Sequence, residues 1–141
     1  MRDIIIIGSG PAGLSAAVYG RRAGLDILVI EKEYCGTGQI AESGQVDNYL
    51  GIPGIDGYSL GEKFREHAEN LGTAFLEEEV TKLEQSDGYW KVLLAGGDVL
   101  ETKTVIYAAG ASHRHLNVPG EDKLSGRGVS YCATCDGAFF Q

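Results

Sequence analysis

The first part of the chain alternates between short apolar runs and a segment with helical periodicity. Residues 4–7 are four isoleucines, and residues 27–30 repeat the pattern as Ile-Leu-Val-Ile. Continuous apolar runs of this length are typical of parallel strands that are buried on both faces. Between them, small and apolar residues recur at helical spacing from Gly13 to about Gly24. We therefore predict a right-handed β-α-β unit whose second strand ends at Glu31.

A glycine-rich stretch, residues 34–57, then predicts a loop-rich excursion from this unit. The capping-box pattern of residues 59–62 predicts the start of an amphipathic helix that ends before Gly72. After it come four short apolar segments with turns at 86–88 and 96–97, namely residues 74–76, 80–83, 89–94 and 99–101. They predict an antiparallel meander inserted before a last buried strand, residues 104–108.

Length and composition limit the classes of protein that fit. A chain of 141 residues is long enough for one domain and too short for two full nucleotide-binding domains. With 43% hydrophobic and 23% charged residues, it has the balance of a soluble globular protein. The net charge of −8 argues against a nucleic-acid partner. The chain shows neither a signal segment nor a membrane span, so we expect a cytoplasmic protein.

The glycine motif of residues 8–13, Gly-Ser-Gly-Pro-Ala-Gly, lies directly after a predicted strand and at the start of a helix. Gly8 permits a tight turn, Gly10 lets backbone N–H groups approach a pyrophosphate, and Gly13 allows close packing of helix and strand. Glu31 can accept hydrogen bonds from ribose hydroxyls, and its charge disfavours a 2′-phosphate. The motif therefore predicts an FAD or NAD site, with an ordinary glycine turn as the alternative. Further glycine turns at 36–39 and 108–110 favour the longer ligand, FAD.

The second chemical signal is Cys132-Ala133-Thr134-Cys135, because two sulfurs at this spacing can close a small disulfide. Asp136 beside them is a candidate proton carrier for a departing thiolate. A purely structural pair and a zinc site are the alternatives. Zinc needs four ligands, and the other cysteine, Cys35, lies far earlier in the chain.

Together these segments resemble the bacterial-type, low-molecular-weight thioredoxin reductases, from residue 4 to residue 140. The most specific match is residues 128–137, Gly-Val-Ser-Tyr-Cys-Ala-Thr-Cys-Asp-Gly. The resemblance implies an α/β fold: a Rossmann-like FAD-binding domain with an antiparallel β-meander, followed by the start of a second nucleotide-binding domain. Residues 1–111 would be the first, incomplete segment of the FAD domain. Residues 112–141 would be a linker and the start of a pyridine-nucleotide-type domain that carries the Cys-x-x-Cys.

The resemblance also implies how FAD would be bound. The pyrophosphate would lie on residues 9–12, the ribose near Glu31, the ring system near Gln39 and Asn48, and the adenine near Val80. The complete set of implied contacts is Gly8, Ser9, Gly10, Pro11, Ala12, Gly13, Glu31, Lys32, Gly38, Gln39, Asn48, Val80, Ala109 and Gly110.

By the same resemblance, Cys135 faces the flavin, Cys132 attacks the partner's disulfide and Asp136 handles protons. The full-length enzyme would pass two electrons through FAD to the dithiol and on to thioredoxin or a similar small disulfide protein. NADPH is its expected electron donor, with a site outside this chain, and a homodimer is its expected state. The resemblance also implies an inserted NADPH domain and a closing segment of the FAD domain, which these residues lack, so we expect the 141 residues to be part of a longer chain, with little or no turnover alone.

Three rivals stay open. One is a flavin disulfide reductase that takes electrons from ferredoxin or serves a peroxidase partner. Another is a non-catalytic flavin-binding or redox-sensing fragment. The third is a structural module stabilised by zinc at the cysteines.

Overall fold

The computed structural model of the chain describes residues 1–34, 38–133 and 137. They belong to two units, Met1–Gly110 and Ala111–Gln141. The first unit is built on a six-stranded sheet, whose strands in chain order are β1 (Arg2–Ile7), β2 (Ile27–Glu31), β3 (Ala74–Glu77), β4 (Val80–Ser86), β5 (Tyr89–Leu94) and β6 (Val99–Tyr107). It also holds helices α1 (Pro11–Arg22) and α2 (Gly57–Asn70) and a 3₁₀ helix, Gly38–Glu42. The spatial order of the strands is β3-β2-β1-β6-β5-β4.

The two apolar runs form the parallel pair β1 and β2, in which Ile4 lies beside Ile27 and Ile7 beside Ile30. Their side chains alternate between two cores, which explains why the runs are apolar at every position. One core lies against the helices and contains Ile6, Leu14, Ala17, Ile27, Val29 and Ala68. The other lies on the opposite face of the sheet and contains Ile5, Ile7, Leu28, Ile30, Val92 and Leu94. The predicted β-α-β unit is confirmed.

Helix α2 begins earlier than the capping-box pattern predicted. Its N-cap is Asp56, whose carboxylate accepts a hydrogen bond of 2.8 Å from the backbone N–H of Ser59. Ser59 is therefore a residue of the first turn and not the cap. The prediction was wrong because Asp and Ser are both good N-caps, and two candidates three residues apart are not distinguished by local sequence alone.

The meander is smaller than predicted, and it is not a separate insertion. Strand β3 is parallel to β2, with Leu28 beside Ala74, because α2 connects these two strands as a crossover helix. Among the six strands of the described sheet, antiparallel pairing is limited to β4 with β5 and β5 with the first part of β6. The segments 99–101 and 104–108, predicted as two strands, belong to one strand that ends at Tyr107. Strand β6 pairs antiparallel with β5 on one side and parallel with β1 on the other, and both ladders include Thr102.

The second unit contains a four-residue helix, α3 (Glu121–Leu124), and an isolated bridge between Ser125 and Val129. Within the ranges that the structure describes, none of the helices combines the length and the apolar character needed to cross a bilayer.

Candidate functional site

A cleft of about 240 Å³ lies at the carboxyl ends of β2, β1 and β6. Ligands of open α/β sheets bind at this edge, because loops diverge there and leave a crevice. The cleft is lined by Gly8, Ser9, Gly10, Glu31, Lys32, Glu33, Gly38, Ala108, Ala109 and Gly110. All of these except Glu33 and Ala108 are residues that the sequence resemblance assigned to cofactor binding, and the structure brings them together.

Two glycines of the motif leave no room for a side chain. A Cβ built on Gly8, which has a φ of +104°, would lie 2.3 Å from the carbonyl oxygen of Ala108. A Cβ on Gly13 would lie 1.9 Å from the carbonyl oxygen of Gly8. A Cβ on Gly38 would be 3.4 Å from the Cα of Gly10, so the excursion after β2 also approaches the motif. The absence of a Cβ at Gly8 and Gly13 therefore allows the turn, the end of β6 and helix α1 to pack against one another through backbone atoms.

Helix α1 directs its amino terminus to the motif. Gly10 is the N-cap and Pro11 the first helical residue, and the N-cap makes no side-chain hydrogen bond because it is a glycine. The first turn, which also contains Ala12 and Gly13, carries no acidic residue. The helix dipole and the backbone N–H groups therefore favour an anion at this end. Ser9 beside it is 4% exposed. These features fit the pyrophosphate of a dinucleotide.

A second cleft, of about 550 Å³, shares Gly8, Lys32 and Ala109 with the first. Val80 also lines it, at the start of β4. Lys32 donates to the carboxylate of Glu79 at 3.1 Å on the rim. Sequence reasoning missed Tyr107, the last residue of β6, which lines this cleft and is 74% exposed. A tyrosine that follows Val105 and Ile106 and comes just before the glycine turn of residues 108–110 was the available signal.

Glu31, at the end of β2, lines the cleft and is also paired with a buried arginine. Its two carboxylate oxygens accept hydrogen bonds of 2.7 and 2.8 Å from Nη1 of Arg65, and both side chains are buried. Burial disfavours the Arg65 charge, but the hydrogen bonds to Glu31 and Glu69 outweigh it and raise the pKa of Arg65 above its ordinary value. Glu31, which the sequence predicted as an acceptor for ribose hydroxyls, is thus one half of a buried ion pair.

Arg65 was also missed by sequence reasoning. It lies on the buried stripe of α2, which contains Gly57, Leu60, Gly61, Arg65 and Ala68. An arginine on an otherwise small and apolar stripe was the signal that could have found it, because an arginine is rarely buried without a partner.

Gln39 and Asn48, which the resemblance placed near the flavin ring, lie on the excursion between β2 and α2. Gln39 belongs to the 3₁₀ helix, and Asn48 lies in a loop closed by the bridge between Val46 and Ile55. Neither is among the described residues that line the two clefts. Their role stays a prediction. Residues 36 and 37 of the predicted glycine turn lie outside the described residues.

In the second unit, Cys132 is disulfide-bonded. Its backbone N–H donates to the hydroxyl oxygen of Ser130 at 3.1 Å. Cys135 and Asp136, the other predicted catalytic residues, lie outside the described residues, as does Cys35. The pairing of Cys132 with Cys135 therefore stays a prediction. In the described ranges, no three His, Cys, Asp or Glu side chains form a group able to hold a metal ion.

Glu121 organises the chain before Cys132. Its carboxylate, in a residue only 5% exposed, accepts hydrogen bonds from the backbone N–H groups of Leu116 and Asn117 at 2.8 and 2.6 Å. The Tyr131 hydroxyl donates to the same carboxylate. This bond and the two backbone bonds lower the pKa of Glu121 to about 2, and the bond to Glu121 raises the pKa of Tyr131 to about 12. The ring of Tyr131 stacks on His113 at 3.7 Å.

Comparison with known proteins assigns these features to one group. Residues 2–141 match the family model described as Pyridine nucleotide-disulphide oxidoreductase. The chain belongs to this family. The resemblance inferred from the sequence is confirmed as well, since a thioredoxin reductase of Bacillus subtilis (strain 168) is 47% identical over 139 residues. That match covers 99% of this chain and 43% of the relative, so the chain spans less than half the length of that oxidoreductase.

Solved structures of the same group have the same fold. The thioredoxin reductase from Streptococcus pyogenes MGAS5005 is 43% identical with a TM-score of 0.85, covering 99% of this chain and 45% of that one. A ferredoxin-flavin thioredoxin reductase from Clostridium acetobutylicum is 36% identical with a TM-score of 0.72. The match covers 99% of this chain and 48% of that one. The α/β, Rossmann-like fold class predicted from the sequence is confirmed.

Proposed function

We propose that the full-length protein is an FAD-dependent thioredoxin-disulfide reductase. The observation that carries the proposal is the disulfide-bonded Cys132, in a Cys-x-x-Cys sequence, on a chain whose other unit has a dinucleotide-type cleft. The similarity to thioredoxin reductases supports it. Because the chain covers 43% of the relative's length, the activity belongs to the whole protein and not to these residues alone.

The cleft residues fit FAD. Gly8, Ser9 and Gly10 line the cleft, where a pyrophosphate would lie against the start of α1, and Gly13 packs the helix on the turn behind them. Glu31 would accept from the adenosine ribose, and the wider cleft at Val80 would take the adenine. When bound, FAD supplies the two-electron chemistry that regenerates the dithiol. Lys32, Ala109 and Gly110 would complete the walls of the cleft. Gln39 and Asn48 would lie near the flavin ring system.

The dithiol reacts by thiol-disulfide exchange. The thiolate of Cys132 attacks one sulfur of the thioredoxin disulfide and releases the other sulfur as a thiolate, which takes a proton. Cys135 then attacks the Cys132 sulfur of the mixed disulfide and releases the second thioredoxin thiolate. Thioredoxin gains two electrons and two protons, and the Cys132-Cys135 pair is oxidised. Asp136 is the proposed proton carrier.

The test is thioredoxin reduction by the full-length protein with NADPH, with FAD content measured from the visible spectrum. We expect flavin absorbance in the wild type and no turnover in Cys132→Ser or Cys135→Ser with the flavin retained. Cys35→Ser is the control and keeps activity. Loss of activity in Cys35→Ser, with the Cys135→Ser variant active, would overturn the assigned pairing. A wild type that binds no flavin would overturn the function.

A ferredoxin-fed reductase is the second candidate, favoured by the match to the Clostridium acetobutylicum protein. It predicts reduction of the flavin by reduced ferredoxin and none by NADPH. The proposal also includes a cytoplasmic location and a homodimer, which cell fractionation and sedimentation of the full-length protein test. Little or no turnover is expected from the 141 residues alone.

A further inference from the structure

In the buried pair of Glu31 and Arg65, one nitrogen bridges both oxygens of a carboxylate that lines the cleft. A single nitrogen, Nη1 of Arg65, donates to both oxygens of Glu31, at 2.7 and 2.8 Å. The side chain of Arg65 is 8% exposed and that of Glu31 is 4% exposed, so water competes little for either charge. Glu31 lines the cleft beside Gly8 and Gly10, whereas Arg65 is not among its lining residues. Any effect of Arg65 on a ligand would therefore pass through Glu31.

The guanidinium of Arg65 is held from several sides. Its Nε donates to Glu69 at 2.8 Å, four residues along the same helix. The rings of Tyr34 and Phe75 lie 4.6 and 4.1 Å from its central carbon. Planar stacking and fixed hydrogen bonds leave an arginine few alternative rotamers. Glu31 thus pairs with an anchored cation, and the direction of its carboxylate is set before any ligand arrives.

Pairing does not use up the acceptor capacity of Glu31. A carboxylate has about four lone-pair sites, and Arg65 occupies one on each oxygen. The remaining sites can accept from the two hydroxyls of a ribose. A carboxylate buried without Arg65 would instead lose its counter-charge and turn towards solvent or bind a proton, because an unpaired buried charge is costly. Either change would remove a charged acceptor from the cleft.

From this geometry we propose that Arg65 is a positioning residue, which holds the Glu31 carboxylate in place to accept hydrogen bonds from the adenosine ribose of FAD. The inference rests on the proposed function and adds the residue that makes its ribose recognition work. Glu69 is one of several contacts that anchor Arg65, and its side chain is 49% exposed. The stacked rings hold the guanidinium without the Glu69 charge, and Glu69→Gln keeps an oxygen that can accept from Nε of Arg65.

The experiment measures binding of FAD and of flavin 2′-deoxyadenosine dinucleotide, which lacks one ribose hydroxyl, to the full-length apoprotein. Wild type should prefer FAD by about tenfold, the value of one hydrogen bond to a charged group. Arg65→Met should reduce this preference to below about twofold, and Arg65→Lys to about threefold. Glu69→Gln should keep about the wild-type preference. A merely structural role would weaken both ligands equally and leave the ratio unchanged.

Each contrary outcome is distinct. Wild type that binds neither dinucleotide overturns the proposed function. Wild type that binds both equally, or Arg65→Met that keeps the tenfold preference, overturns the role of Arg65 and leaves the function standing. If Arg65→Met does not fold, as judged by Trp90 fluorescence, Arg65→Lys decides: an unchanged preference overturns the proposal.

Discussion

A Cβ on Gly13 would lie 1.9 Å from the carbonyl oxygen of Gly8. The first turn of α1 is therefore in direct contact with the end of β1, through backbone alone. Because the obstructing atom is a backbone oxygen, no side-chain rotation can relieve the contact. The turn that exposes backbone to the cleft and the packing of helix on sheet are one structural feature, and a single substitution tests both.

We expect Gly13→Ala to destabilise the first unit by roughly 2 kcal/mol, the usual cost of overpacking. In an unobstructed helix the same change would stabilise by about 1 kcal/mol. The sign of the change in unfolding free energy therefore shows whether Gly13 contacts Gly8. Urea unfolding followed by Trp90 fluorescence measures it. Gly44→Ala is the control, because no described atom outside its own chain neighbours lies within 4 Å of a Cβ there. A Gly13→Ala protein as stable as wild type would contradict the contact.

The ion pair of Glu31 and Arg65 should show strong coupling in stability. Glu31→Gln leaves a buried guanidinium without its counter-charge and should cost about 3 kcal/mol. Arg65→Met should cost a similar amount for the opposite reason. The double variant should lose less than the sum of the two, because neither charge is then left unpaired. Additive losses in urea unfolding of the apoprotein would show that the two side chains do not interact.

Helix α2 offers a direct comparison of its two candidate caps. The Asp56 carboxylate accepts from the Ser59 N–H, so Asp56→Ala should lower the melting temperature by roughly 2–4 °C. Ser59→Ala should have a smaller effect, because its backbone N–H remains and its side chain is not the cap. Thermal unfolding by circular dichroism distinguishes the two. A larger loss in Ser59→Ala would restore the capping-box interpretation.

The Glu121 network should respond to pH in a defined direction. Hydrogen bonds from Tyr131, Leu116 and Asn117 lower the pKa of Glu121 from 4.5 to about 2. Its stabilising contribution is therefore fully present above about pH 4.5 and is lost as pH falls towards 2. The pKa of Tyr131 is raised to about 12, so its contribution is present below pH 10 and is lost as pH rises towards 12.

Hydrogen exchange at the amides of Leu116 and Asn117 measures this network locally. We expect Glu121→Gln to lower their protection at least about tenfold at pH 7, because the amide side chain is a weaker acceptor than the carboxylate. Asp122→Asn, an exposed neighbour in the same short helix, should leave it unchanged. Wild-type protection, corrected for intrinsic exchange, should fall between pH 4.5 and 2. Protection constant over that range would contradict the assignment.

The sequence by itself determined the parallel strands and the glycine turn. Short β-branched runs that are apolar at every position are typical of strands covered on both faces, and β1 and β2 do contact two cores. The close approach of Gly13 to Gly8 was equally readable, because it depends on backbone geometry within a few residues, whereas the contact of Gly8 with Ala108 is made only in the folded sheet. Most of the cleft wall followed from these local features.

Only the tertiary structure decided which distant segments meet. The apolar pattern of residues 74–76 suits either ladder direction, and the crossover through α2 makes β3 parallel to β2. The partner of Glu31 is 34 positions away, on a helix whose orientation is set by packing against the sheet. Local propensity extends over a turn or two, whereas strand order and the pairing of buried charges depend on how whole elements pack. The glycine turn therefore located the cleft at the carboxyl edge of the sheet, and the fold placed Arg65 beside Glu31.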